Sequence, residues 1–137
     1  MRSALFFGAI GLALALLSSP ASGDPLARTL SSQQRDIIQH GVLREANVSI
    51  VAMAGEPQRF ATELAAALRA AGAAVSFGRD VTVAASRTGL VVYYDHTVPA
   101  DASVFLALDR AGLNPEDHDI PGAPAATIMV GPRPSHL

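Results

Sequence analysis

The chain of 137 residues has no cysteine, and all ten of its basic residues are arginine, because lysine is absent too. Without a thiol there is no cysteine nucleophile, no lipid-anchored cysteine and no thiolate metal site. Without an amine the chain has neither the lysine of a phosphate-binding P-loop nor a Schiff-base residue. Charge is also scarce. Charged residues make up 16% of the sequence, with ten basic against twelve acidic side chains and a formal net charge of −2. That balance gives no basic surface for nucleic acid and no cationic face for anionic lipid. Only 5% of residues are aromatic, whereas half are hydrophobic, which is ample for one buried core.

The most informative stretch that is present is the beginning. Met1-Arg2-Ser3 is short and basic, Ala4–Leu17 is an uninterrupted apolar run, and Ser18-Ser19-Pro20-Ala21-Ser22-Gly23 is small and helix-breaking. That order is the pattern of an export signal. The run is shorter than the roughly 20 apolar residues a membrane-spanning helix needs. We therefore expect a signal peptide over 1–23, cut near Ala21 or Gly23, and a periplasmic or secreted product with no integral membrane span. The alternative is retention at the inner membrane by residues 4–17. After it we expect a linker over 24–29, one domain over 30–134 and a tail over 135–137.

Within the domain the apolar periodicity alternates between helix and strand. Ser31 with Gln34 forms a capping box opening a helix that extends to about Glu45. Val48–Met53 is short and β-branched, as a buried strand is. Pro57 sits in the first turn of a second helix, where its missing N–H costs nothing. Phe60, Leu64 and Leu68 give that helix one apolar stripe, and Gly72 ends it. Ala73–Phe77 and Leu90–Tyr94 read as further strands. Asp101 is the expected N-cap of a third helix reaching Gly112. Asn114–Pro124 is expected to be loop, and Ala126–Val130 the last strand. Val81–Ala84 is extended in character, either a short strand or part of a crossing loop; no helical pattern joins the second strand to the third.

At an offset of 40 residues two units overlay. Leu64 falls on Val104, Leu68 on Leu108 and Ala71-Gly72 on Ala111-Gly112. Repeated strand–helix units of one size predict an α/β fold: a small, mainly parallel four-stranded sheet covered by about three helices. Three phrases, VSIVAMAGEPQRFATELAAALRAAG at 48–72, GLVVYYDHTVPADASVFLALDRAGL at 89–113 and TIMVGPRP at 127–134, resemble a loosely defined bacterial domain of uncharacterised, often membrane-linked proteins. Its pattern is a strand, a Gly-acid-Pro turn, an "FA..L..aL..aG" helix and a closing "VGpkP" strand. The resemblance implies a fold and no activity.

If the strands are parallel, their carboxyl ends share one rim, where ligands bind in such sheets. That rim would collect Glu56, Arg79, Asp95, His96 and Arg133. Glu56, Arg79 and Arg133 are the candidates for holding a ligand, since arginines take a carboxylate or phosphate in bidentate fashion. Asp95 and His96 are the candidates for catalysis, because imidazole titrates near neutrality. Asp117, His118 and Asp119 are a weak metal candidate. The serine elbow G-x-S-x-G and the dinucleotide fingerprint G-x-G-x-x-G are both missing. Asp95 after a third strand resembles a receiver phosphoacceptor, but that chemistry needs an acidic pair after the first strand and a lysine. The reading that follows is a non-enzymatic exported module, needing no cofactor, that binds an envelope protein or a small ligand. Its rival is a small enzyme with His96 as base and Arg79 or Arg133 holding an anionic substrate.

Overall fold

The computed structural model describes residues 28–78 and 88–133. The expected signal peptide, most of the linker, the Val81–Ala84 element, Arg79 and the C-terminal tail lie outside them. Three helices and five strands follow in the order α1 (Ser32–Gly41), β1 (Asn47–Ala52), α2 (Glu56–Ala70), β2 (Ala74–Phe77), β3 (Leu90–Tyr94), α3 (Pro99–Arg110), β4 (Glu116–Asp119) and β5 (Ala126–Val130).

The local chemistry explains most boundaries. The Ser31 hydroxyl accepts from the Gln34 N–H, and the Gln34 side chain accepts from the Ser31 N–H, so the capping box forms as expected. The two longer helices end alike. Gly72 (φ 99°) and Gly112 (φ 81°) adopt left-handed backbone. The Ala73 N–H then reaches the Leu68 carbonyl and the Leu113 N–H the Leu108 carbonyl. This is a glycine C-cap with its 6→1 bond. The internal repeat therefore survives at the helix ends. α3 starts earlier than expected: Val98 is the N-cap, and Pro99 and the buried Asp101 both stand in its first turn.

The sheet order is β2-β1-β5-β3-β4. β1 is parallel to β2 and to β5, and β4 is parallel to β3. The β3–β5 pair is antiparallel. The expected α/β class holds, with two corrections. Among the described residues there are five strands, not four, because Glu116–Asp119, expected to be loop, pairs with Val91–Tyr94. Its acidic sequence hides a strand by propensity but suits a sheet edge, where charge discourages pairing with another chain. The second correction is one of direction. Each strand–helix–strand unit is parallel within itself, but the two units meet head to tail across β5. The carboxyl ends of β1, β2 and β5 form one end of the sheet, here the upper end; those of β3 and β4 form the lower end.

One face of the sheet carries the core. Val48, Ile50, Leu90, Val92, Ala126, Ile128 and Val130 pack against Phe60, Leu64 and Leu68 of α2 and Val104 and Leu108 of α3. α1 wedges between α2 and α3: Ile38 is fully buried, and Gly41 lies so close to α3 that a Cβ would sit 3.1 Å from the Ala107 Cβ. All three of these helices thus lie on the same face, and among the described residues no helix lies on the other, which is called the helix-free face below in that sense.

Candidate functional site

The expected single rim divides in two. At the upper end Glu56 opens α2 and Arg133 follows β5. Glu56 is already engaged. Arg28 donates from Nε to Oε2 at 2.9 Å and from its terminal nitrogen to Oε1 at 2.7 Å; its backbone N–H also reaches Oε2 at 2.9 Å. The same guanidinium donates to the Gly131 carbonyl at 2.8 Å and lies over the Phe60 ring. These bonds hold the Glu56 carboxyl below its ordinary value, against the opposing effect of burial, with a smaller contribution from the Arg133 charge. Glu56 is thus a clamp for the chain entering α1, and Arg28, expected in the linker, is part of the fold.

Asp95 and His96 lie at the lower end, because β3 runs against β5. They share no rim with Arg133, so the arrangement required for an enzyme using His96 with Arg133 is not formed. The lower end is a small polar lock. The His96 ring pairs through Nε2 with Asp117 at 2.8 Å, and its backbone N–H donates to Asp119 at 3.0 Å. The ring also leans on Tyr94, 4.6 Å between centroids. Burial pushes the Tyr94 hydroxyl up to about 12, and the neighbouring Asp117 carboxylate adds to the shift. Asp95 accepts from the Thr97 hydroxyl and N–H and from the Gly122 N–H, which lowers its carboxyl. Asp101, in the first turn of α3, is raised by burial, although it accepts from the Asn47 N–H.

The weak metal candidate separates as well. Side chains alternate across a strand, so His118 turns to the helix-free face and stacks on Tyr93, 4.9 Å between centroids, while Asp117 faces His96 on the other side. His118 pairs with Glu116 instead. Among the described residues no group of three or more histidine, cysteine or acidic side chains is placed to hold a metal ion.

Sequence reasoning missed the helix-free face. Successive strand pairings put Ser76, Ser49, Thr127, Tyr93 and His118 in one row across all five strands. The adjoining row is Val51, Met129, Val91 and Glu116. A row of hydroxyls ending in an imidazole therefore runs beside a row in which Val51 and Val91 are buried and Met129 is half-buried. Over the centre of the sheet Tyr93, Thr127, Met129 and the exposed Ile120 line an open depression. No local pattern reveals this surface, since each strand contributes one residue to a row. Period-two alternation shows that a strand has two faces, but not which neighbours complete them.

Among the described residues no helix is long and apolar enough to cross a membrane. Comparison with protein-family models, with curated proteins and with solved structures finds no match.

Proposed function

We propose that the chain is an exported, non-enzymatic binding module that receives an envelope protein on the helix-free face of its sheet. The observation that carries this reading is the open Tyr93–Ile120–Thr127–Met129 depression, apolar in Ile120 and Met129 and edged by the hydroxyls of Tyr93 and Thr127. Among the described residues no helix lies over the depression, which leaves room there for a partner. The mixture of an apolar patch with hydrogen-bonding side chains suits a protein surface, whose contacts are apolar at the centre and polar at the rim. The acidic, lysine-free composition agrees with a partner other than nucleic acid. The separation of His96 from Arg133 removes one of the two pairings, His96 with Arg133 or with Arg79, on which the enzyme reading rested.

Two experiments test the reading. Fractionation of the producing cells with mass spectrometry of the N-terminus tests export. Cleavage near Ala21 or Gly23 supports it, an intact start in the membrane fraction selects the anchored form, and an intact start in the cytosol overturns it. For the surface, Met129→Asp is compared with Leu106→Asp, a change at an exposed residue of α3. Loss of a copurifying envelope protein with the first substitution and retention with the second supports the reading. Equal behaviour of the two contradicts it.

A further inference from the structure

The two outer strands of the sheet present opposite charge. β2 stands at one edge and β4 at the other, and among the described residues no strand pairs with the outer side of either. All the acidic residues of the five strands are in β4, and none of the five contains an arginine. The β2 edge takes its charge from α2. The Arg69 guanidinium donates to the Val75 carbonyl at 3.1 Å and lies over the exposed Phe77 ring, 5.9 Å from its centroid. One edge is therefore acidic and the other cationic. The charge of β4 repels a like edge and attracts an unlike one.

Strand direction lets the two edges meet. β2 is parallel to β1 and β1 to β5, β5 is antiparallel to β3, and β3 is parallel to β4. β2 and β4 thus run in opposite senses. When a second copy stands beside the first with its helices on the same side, β4 of one lies antiparallel to β2 of the other. Each strand is four residues long. The Ala74 and Gly78 N–H groups bond inward to Ala46 and Ile50, and the Ile120 N–H bonds inward to Tyr94. By alternation the backbone groups of Val75, Phe77, Asp117 and Asp119 point outward. The register that uses all of them pairs Val75 with Asp119 and Phe77 with Asp117, and sets Ser76 opposite His118. Ser76 and His118 are on the helix-free face, so the other four side chains share the helix-covered face. There Arg69 meets Asp117 and Asp119 and exchanges a carbonyl for a charge-assisted bond. Both carboxylates already contact His96, but a carboxylate has about four acceptor sites.

We infer that copies of this chain associate head to tail, the acidic β4 edge of one against the Arg69-bearing β2 edge of the next, in one continuous sheet. The two surfaces differ, so the contact does not close at two copies and the array stays open. Four residues on each side make a small interface, so the association is weak and is read at high protein concentration. The helix-free face stays uncovered in such an array, so this inference and the partner-binding reading stand or fall separately.

The test is sedimentation of the purified protein from micromolar to millimolar concentration. The weight-average mass is expected to rise with concentration and to fall as salt is raised. Arg69→Glu and Asp119→Arg are each expected to weaken association about two- to fivefold. An equal mixture of the two is expected to restore it, because each chain then finds an unlike edge. The absence of cysteine gives a second measurement that needs no charge reversal. Under mild oxidation, a mixture of Ser76→Cys and His118→Cys chains is expected to form a disulfide-linked pair, and either variant alone is not. A protein monomeric throughout the range overturns the inference. So does association that ignores both charge reversals, or a mixture of the two that is not restored. A disulfide yield no higher in the mixture than in either variant alone overturns it as well. Where a charge reversal fails to fold, the cysteine pair decides.

Discussion

Arg28 and Glu56 form a two-point ion pair that fastens the chain entering α1 to the start of α2, with both side chains only about one-seventh exposed (15% and 14%). The fork geometry is one that arginine makes and lysine does not. Arg28→Ala removes the pair, the bond to the Gly131 carbonyl and the contact over Phe60 together. The expected loss is about 2–4 kcal/mol in denaturant unfolding. Arg28→Lys is expected to recover less than half of it.

The same pair sets an acid dependence. The folded Glu56 carboxyl is depressed, chiefly by its bonds from Arg28. Its stabilisation is therefore complete above the ordinary glutamate value and is lost as pH falls through the folded value. Unfolding free energy measured from pH 6 down to pH 2 is expected to fall less steeply in Glu56→Gln than in the wild type.

Asp101 behaves in the opposite sense. Burial raises its carboxyl, so its charged form is a cost to the fold that disappears as pH falls through the raised value. Asp101→Asn keeps an oxygen for the Asn47 N–H and is expected to change stability at pH 7 by less than about 1 kcal/mol. Asp101→Ala leaves that N–H without its partner and is expected to cost about 1–3 kcal/mol. Thermal unfolding of the two variants at pH 7 compares them.

The glycines separate two kinds of strain. At Gly112 (φ 81°) a Cβ meets nothing within 4 Å, so Gly112→Ala is expected to cost about 1–2 kcal/mol, the backbone contribution alone. At Gly78, just after β2, a Cβ would lie 2.8 Å from the Val51 Cγ2 and 3.3 Å from the Ser49 Oγ. Gly78→Ala is expected to cost about 1–3 kcal/mol by crowding. It also disturbs the helix-free face, where Gly112→Ala does not. Chemical denaturation gives the two costs, and the amide spectrum around Ser49 and Val51 shows the difference in place.

Signals written within a few residues were legible in the sequence. The Ser31–Gln34 box, Pro57 and the Gly72 and Gly112 caps each act through bonds inside a single turn, and they placed the helix ends they govern nearly to the residue, whereas α1, expected to reach about Glu45, ends at Gly41. Strands β3 and β5 read correctly because β-branched and apolar runs that short suit a buried strand and little else. What did not read was set by partners far along the chain. β5 inserts between β1 and β3, and this turns the second unit against the first and sends His96 and Arg133 to opposite ends. Nothing near Leu90 or Ala126 encodes that insertion. Strand β4 was hidden for a related reason: Glu116–Asp119 has poor strand propensity and is held by pairing to β3 and by the His96 contacts. The repeat itself was visible, but a repeat specifies equal units and not their relative direction.

The most direct test of the account places a photoreactive amino acid at one position at a time in the producing cells. Position 129 on the helix-free face is compared with position 106 on α3. One defined cross-linked protein is expected from position 129, reduced by Tyr93→Lys, and none from position 106. A cross-link from position 106 with none from position 129 would contradict it.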